Sequence, residues 1–328
     1  MVAMAKRGAT GWVDDPKAVG EVLGSLPNPL LRTTRYCSDL VKTEHRDILP
    51  WAIEESVLGR RLKAHYQARG TCVSQGWSRG IEHLIQAEIQ NGEREEWKAQ
   101  VLPAAIYGLS RVEVGGGRLR GDGSVGAWAA KAVRNYGVLL RIRYPGFDCR
   151  GPDDEKYAID WGRRGLPDAL EPIAKNHFVS DVSLVNDADV GLGCLYNLKP
   201  IPICSNQGFT TTRDEYGMCR PKGTWNHCML ASGVMKIKHS RHPNGRIVVA
   251  IWQSWGNKNP NGNRKVVLQT GATITLPPEV FLIDVDVWDR ILRQGDSFAM
   301  AGMVGWKPQK QDFFLAHVKP SIDLAMTA

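Results

Sequence analysis

The pattern of apolar residues changes character near Pro200, and this change constrains the fold more than any other feature. Before it, apolar residues recur at helical spacing, most clearly from Val73 through Trp77 to Ile89. After it, short β-branched runs separated by turn residues predict strands at 201–204, 228–237, 246–253, 265–269, 280–283 and 296–301. A helix-rich half followed by a strand-rich half predicts an α+β fold.

Local signals place the helices of the first half. The helix that begins near Val73 is expected to end at Gly92. Ser124 is predicted to be the N-cap of a later helix, which Gly137 ends. Further helices are expected over 93–101, over 167–175 and over about 186–197.

The chain divides into three predicted segments. Residues 1–50 are irregular and interrupted by prolines, so we predict an N-terminal arm or a short pro-like segment there. Residues 51–306 are predicted to form the main domain, with a helix-rich half at 51–199 and a strand-rich half at 200–306. Residues 307–328 are predicted to be a C-terminal tail.

Charge and hydropathy limit the partners. Lys and Arg number 42 against 34 Asp and Glu, which gives a net charge of +8. The basic residues are scattered, so we do not expect a nucleic-acid partner. No run approaches the ~18 apolar residues of a membrane helix, and the start of the chain does not resemble a secretory signal. Seven widely spread cysteines favour reduced thiols, and a cytoplasmic location is expected.

The cysteine spacing also argues against a metal site. Cys194, Cys204, Cys219 and Cys228 are separated by nine, fourteen and eight residues. Structural zinc sites use close Cys pairs with about two to four residues between them. The glycine-rich segment 115–123 lacks the Lys-Ser/Thr ending of a phosphate-binding loop. We therefore expect no metal and no cofactor.

Cys72 is the first residue with a reason to be reactive. It follows Gly70-Thr71 at the first turn of the predicted amphipathic helix. Backbone N–H groups and the helix dipole stabilise a thiolate at this position, and the thiolate is the nucleophilic form. An inert buried cysteine is the alternative interpretation.

Two further side chains could assist a thiol. His227 stands at the start of the predicted strand 228–237, where its ring can face a cleft. Gln253 lies between two tryptophans at the end of another strand, in Trp252-Gln253-Ser254-Trp255-Gly256. An amide there can hold an imidazole by a hydrogen bond, and a tryptophan can shield that bond from water. A structural histidine and an ordinary strand end are the alternatives.

Taken in chain order, these three signals resemble the papain-like cysteine peptidases. A cysteine at a helix start, a histidine about 155 residues later and an amide in a Ser-Trp-Gly turn is the order of that family. The glycines Gly115, Gly116 and Gly117 resemble the family's cleft-lining Gly-Gly, and Asn135-Tyr136-Gly137-Val138 resembles the end of its next helix. The resemblance spans roughly residues 60–305 and is closest to papain-like proteins of phages and bacteria.

The sequence departs from the family pattern at three positions. Val73 follows the cysteine, where papain and the cathepsins have tryptophan. Gln253 stands where the family has asparagine. Gln67 lies five residues before the cysteine, whereas the family's oxyanion-hole glutamine lies six before, so Gln75 or a backbone N–H is an alternative donor.

The resemblance implies a fold, an activity and a site. It implies a helical subdomain that carries the Cys72 helix and an antiparallel, barrel-like subdomain that carries His227. It implies hydrolysis of peptide or isopeptide bonds in a protein substrate, with Cys72, His227 and Gln253 catalytic. Gln67 would form the oxyanion hole, and Gly115, Gly116, Gly117 and Trp255 would bind substrate or shield the site.

Two other functions stay open on the sequence. The chain can be a catalytically weak or inactive papain-like binding module, with a phage virion as its setting and virion proteins as partners. It can also be a transferase or deamidase, since an amine can resolve the same thioester as water does.

Overall fold

The computed structural model describes residues 10–30, 45–94, 96–151, 155–256 and 259–308. Parts of the predicted N-terminal arm, at 1–9 and 31–44, lie outside the described residues, as do Cys37 and the predicted tail from 309 onward.

Helices dominate the first half of the chain. Several begin with a proline in the first turn, where the missing N–H costs no helical hydrogen bond. The helices are α1 (Pro16–Leu23), α2 (Pro50–Leu58), α3 (Cys72–Gln90), α4 (Pro103–Leu109) with a π-helical continuation (Ser110–Val114), α5 (Gly126–Asn135), α6 (Glu155–Arg164), α7 (Glu171–Ala174), α8 (Ala188–Tyr196) and α9 (Val285–Leu292).

The helix α3 runs through the centre of the molecule. Every residue from Cys72 to Glu88 is buried, including the polar ones. Its apolar residues pack in the core of the helical half together with α5. Its polar residues face other buried polar groups rather than water, as Arg79 does with Glu54 at 2.9 Å and with Glu82 at 3.1 Å. The amphipathic pattern therefore predicted the helix correctly, but both faces of it are covered.

Strands dominate the second half. Four strands form an antiparallel sheet: β4 (Ile201–Phe209), β6 (Pro221–His239), β7 (His242–Trp252) and β11 (Val280–Asp284). Their order in the sheet is β11-β7-β6-β4. The other strands are β1 (Arg143–Tyr144), β2 (Phe147–Asp148), β3 (Phe178–Leu184), β5 (Thr212–Arg213), β8 (Asn261–Gly262), β9 (Lys265–Val267), β10 (Thr273–Thr275) and β12 (Phe298–Val304).

The two halves are joined by pairing across the sequence. Strand β3, from the helix-rich half, pairs with β12 from the end of the strand-rich half. The N-terminal residues also pack inward, because Trp12, Ala18 and Val22 belong to the core of the helical half. Within 10–30, the predicted arm is thus part of the folded body.

Most sequence-based element predictions are confirmed. Each predicted strand run overlaps an observed strand, and α3, α5 and α8 lie where helices were expected. The helix over 93–101 is wrong: Val101 forms a β-bridge with Leu140, and Arg141 N–H donates to Gln100 O at 2.7 Å. Tertiary pairing therefore overrides local propensity there.

The Ser124 N-cap is also wrong, because its hydroxyl bonds with Ser110 at 2.9 Å. The first N–H groups of α5 are taken instead by Asp296. None of the helices in the described part of the chain is long and apolar enough to cross a membrane.

Candidate functional site

Cys72 occupies the first turn of α3, as the sequence predicted. Its side chain is fully buried. Backbone groups of Cys228, Val73 and Gly11 lie near the sulfur and act to lower its pKa, but the effect of burial is larger. Burial, with a smaller contribution from the neighbouring Cys228 thiol, raises the pKa of Cys72 well above its ordinary value. In this arrangement the Cys72 side chain is a neutral thiol.

His227 lies in β6, next to Cys228, and is also fully buried. Its Nε2 lies 3.0 Å from Oε1 of Gln253. An amide oxygen only accepts, so Nε2 carries the proton and Nδ1 is left with a lone pair. Nδ1 has no hydrogen-bond partner among the described residues. Burial lowers the pKa of His227 to about 4, with Gln253 opposing the shift.

Gln253 and Trp255 hold this ring in place. Gln253 follows the end of β7, and its backbone N–H donates to Glu279 O at 3.1 Å. The ring of Trp255 stacks on His227 with centroids 4.8 Å apart. Trp225 packs in turn on Trp255, with ring centroids 5.0 Å apart. The extra methylene of glutamine relative to asparagine thus does not prevent the contact.

Backbone contacts bring Cys72 to the strand that carries His227. The backbone of Gly11 lies near the Cys72 sulfur, and its N–H donates to Asn226 O at 3.0 Å. The backbone of Cys228 also lies near the sulfur. The Cys72 thiol therefore lies close to β6, beside Cys228. The structure joins His227 to Gln253 and places the Cys72 sulfur beside Cys228, the residue that follows His227.

Gln67 lies beside the Gln253 turn. Its backbone N–H donates to Ser254 O at 2.9 Å, and its side-chain Oε1 accepts from the Ser254 hydroxyl. Its Nε2 donates to Arg69 O at 3.1 Å. Gln75, the alternative donor, contacts the His65 ring through its Oε1 at 2.8 Å. Gln67, Thr71 and Gln75 line an open cavity of about 350 Å³ beside the start of α3.

Residues 11–13 of the chain itself pair with Asn226 and Ser124, near Cys72. Trp12 N–H also donates to Asn226 O, at 3.1 Å. Gly11 O accepts from Ser124 N–H at 2.8 Å, and Val13 N–H donates to Ser124 O at 2.9 Å. A Cβ on Gly11 would lie 2.2 Å from Gly70 O, so only glycine fits there. We call residues 10–13 the N-terminal strap.

The predicted glycines Gly115, Gly116 and Gly117 cap the π-helical turn. Gly116 and Gly117 donate to carbonyls of that turn and have φ of +65° and +66°. Gly115 lies against the ring of Trp128. The segment that meets the strap is Gly123-Ser124, and nothing in the sequence pattern singled it out for this contact. The substrate-binding role of Gly115–Gly117 stays a prediction.

A buried ionic cluster lies next to the candidate site. It consists of His65, Arg79, Glu82 and Glu54. His65 Nε2 lies 3.2 Å from Glu82, and Arg79 bonds with Glu82 and Glu54. Burial raises the pKa of Glu82, but His65 and Arg79 more than offset this and lower it to about 2.

This cluster reaches the candidate site through the backbone. Residues 65–67 pair with 254–256, for example through Gly256 N–H to His65 O at 3.0 Å. Apart from the charged residues inside α3, no pattern in the sequence indicated this cluster. No group of three or more metal-ligating side chains occurs in the ranges that the structure describes.

Solved structures of other proteins have a similar fold. Xylellain, a cysteine protease from Xylella fastidiosa, superposes with a TM-score of 0.57 at 12% sequence identity, over 92% of this chain and 98% of that chain. The fold is papain-like. A procathepsin B from Trypanosoma congolense aligns with a TM-score of 0.49 at 13% identity, over 93% of this chain and 87% of that one. A stem bromelain precursor aligns at 0.47 and 13%, over 90% and 77%.

The sequence alone finds no such relatives. No protein-family model matches it, and no curated protein sequence matches it. Because xylellain is only 12% identical to this chain, the comparison establishes the fold alone. The chemistry of the site depends on the residues that this chain has there.

Proposed function

We propose that this chain is a cysteine-dependent hydrolase of peptide or isopeptide bonds, of the phage and bacterial papain-like type. The observation that carries the proposal is the His227–Gln253 bond of 3.0 Å beneath Trp255, on the strand against which the Cys72 sulfur lies. This bond leaves Nδ1 of His227 as the available base. Orienting an imidazole this way is what general-base activation of a thiol requires.

In the proposed reaction, Cys72 and His227 take part in both the formation and the hydrolysis of a thioester. His227 takes the Cys72 proton, and the thiolate attacks the carbonyl carbon of the scissile amide. His227 then returns the proton to the leaving amine, and water, activated by the same ring, hydrolyses the thioester. The backbone N–H of Cys72 and the Gln67 amide are the proposed donors to the tetrahedral oxyanion. One such donor typically contributes about 2.7–4 kcal/mol to lowering the barrier.

The proposed substrate groove has an open half and a filled half. The open cavity of about 350 Å³ next to Gln67 would take one side of the substrate. The strap would occupy the other side, where the backbone of Gly11 lies near the sulfur and its N–H donates to Asn226 O. Attack needs a carbonyl carbon at the thiolate, so the strap is not positioned for cleavage. Substrate would replace the strap before reaction.

The protonation states fit a resting form. The same burial that raises the pKa of Cys72 lowers that of His227, so both groups are neutral beneath the strap. Admitting water on removal of the strap would relieve both shifts and favour the thiolate–imidazolium pair.

Site variants test this proposal directly. Cys72→Ala and His227→Ala should abolish hydrolysis in a broad peptide and isopeptide screen, while Cys219→Ala, a buried thiol elsewhere, should keep it. Iodoacetamide at pH 6 should label Cys72 faster than Cys219 once the strap is displaced. Hydrolysis that survives Cys72→Ala would refute the proposal.

One observation favours a second function, a catalytically silent papain-like binding module. Both Cys72 and His227 have no exposed surface in this structure. On this reading the strap never leaves, and the fold serves assembly, with a virion as one setting. Absence of turnover in a variant whose Cys72 is readily alkylated would favour this function over hydrolysis.

A further inference from the structure

The strap has one deeply buried side chain, Trp12. Thr10 and Asp14 are exposed, and Gly11 and Val13 are half-buried, whereas Trp12 is 3% exposed. Its indole lies in the apolar core cluster that also contains Val125 and Phe298. Trp12 is therefore the side chain that anchors the strap in the groove.

The pocket that holds Trp12 has a carboxylate at its end. The indole Nε1–H donates to Asp296 Oδ2 at 2.7 Å, and Asp296 is 2% exposed. Asp296 also accepts from the N–H groups of Gly126 and Ala127, each at 2.7 Å, at the start of α5. A buried acceptor that loses its donor costs free energy. This pocket therefore favours a side chain whose N–H reaches Asp296 over one that has no N–H.

The backbone of the strap adds a second requirement. Gly11 lies so close to Gly70 that a side chain at this position would collide with backbone. Its neighbour Trp12 is held by main-chain bonds to Asn226 and by a parallel β-bridge with Ser124. These contacts use peptide groups that any extended peptide offers, so they would also hold a segment supplied from another chain.

We propose that the groove beside Cys72 recognises a Gly–aromatic peptide segment through Asp296, which selects a hydrogen-bond-donating ring, and that Gly11-Trp12 is the chain's own occupant of that site. Asp296 is thus a specificity-determining residue. The proposal rests on the proposed function only in treating this groove as the one that substrate enters. A peptide containing Gly-Trp is the ligand class that it names.

Alkylation of Cys72 in the full chain tests the proposal. The measured quantity is the ratio of Cys72 to Cys219 labelling by iodoacetamide, which global unfolding does not raise selectively. Trp12→Phe keeps an aromatic ring and removes the N–H, so the ratio should rise about ten-fold, the effect of losing one buried hydrogen bond. Trp306→Phe is the matched control, since Trp306 is also 3% exposed and its Nε1 has no partner in the described part of the chain.

A glycine pair tests the backbone requirement. Gly11→Ala places a methyl group against Gly70 and should raise the ratio, whereas Gly20→Ala, whose added Cβ meets nothing within 4 Å, should not. If Trp12→Phe proves unstable, Gly11→Ala still opens the groove and still decides the outcome.

Adding the peptide in trans completes the test. Acetyl-Thr-Gly-Trp-Val-amide should protect Cys72 in Gly11→Ala, and the Phe counterpart should need about ten times the concentration. Equal protection by the two peptides, or equal labelling of Trp12→Phe and Trp306→Phe, would overturn the proposal. Labelling is independent of turnover: an opened but inactive enzyme counts against the proposed function alone, and active enzyme with unchanged labelling counts against this proposal alone.

Discussion

Removing the Gln253 amide tests the site most sharply. In Gln253→Ala the Nε2–H of His227 loses its acceptor while the ring stays fully buried. An unsatisfied buried donor costs about 1–3 kcal/mol, so we expect the free energy of unfolding to fall by that amount. The ring also loses the bond that fixes its tautomer, and the same energy in the transition state corresponds to a loss of about 5- to 150-fold in kcat.

Two more conservative substitutions separate the effect of the hydrogen bond from the effect of the space that the side chain fills. Gln253→Glu keeps an acceptor at the same reach and should recover most of the stability. Gln253→Asn draws the acceptor back by one bond, about 1.5 Å, and should behave like Gln253→Ala. Gln269→Ala, at a half-buried position in the strand-rich half, is the control for losing a glutamine.

Urea denaturation measures the stability, and steady-state hydrolysis of the best peptide measures kcat. Nitrogen NMR of the imidazole reports the tautomer, which should be Nε2–H in the wild type and mixed in Gln253→Ala. Wild-type stability, wild-type kcat and an unchanged tautomer in Gln253→Ala would refute the reasoning that this amide orients His227.

Three further predictions concern packing and charge. Arg79→Met should destabilise the fold by about 3–5 kcal/mol in urea denaturation, because it leaves buried carboxylates without their cation, and an unchanged midpoint would contradict this. Gly76→Ala should lower the stability by about 1–3 kcal/mol, since its Cβ would lie 3.1 Å from the Cys228 sulfur; Gly20→Ala should not. His227 binds a proton more weakly folded than unfolded, so the wild type should lose stability relative to His227→Gln as pH falls from about 6.5 towards 4, and parallel pH curves would disprove it.

The buried cluster behind the site explains why α3 has polar residues on both sides. Sequence periodicity assigns Arg79 and Glu82 to a solvent-facing side of an amphipathic helix. The structure covers that side with α2 and with residues 65–67, and the charges pair with one another. Burial of a helix face depends on what packs against it, which helical spacing does not encode.

The local patterns of the chain determined its elements and their order. Helical spacing predicted α3 and placed Cys72 at its start, and short β-branched runs between turn residues predicted the strands. These signals are reliable because periods of 3.6 and 2 residues are properties of the backbone itself.

Only the tertiary structure decided what the site contains. The N-cap of α5 comes from Asp296, 170 residues after Gly126, and the strap reaches Asn226 from the far end of the chain. Such contacts depend on how distant segments cross, and no local pattern specifies a crossing. For the same reason the sequence indicated a nucleophile, a base and an amide, while the burial that keeps Cys72 and His227 neutral emerged only from the tertiary structure.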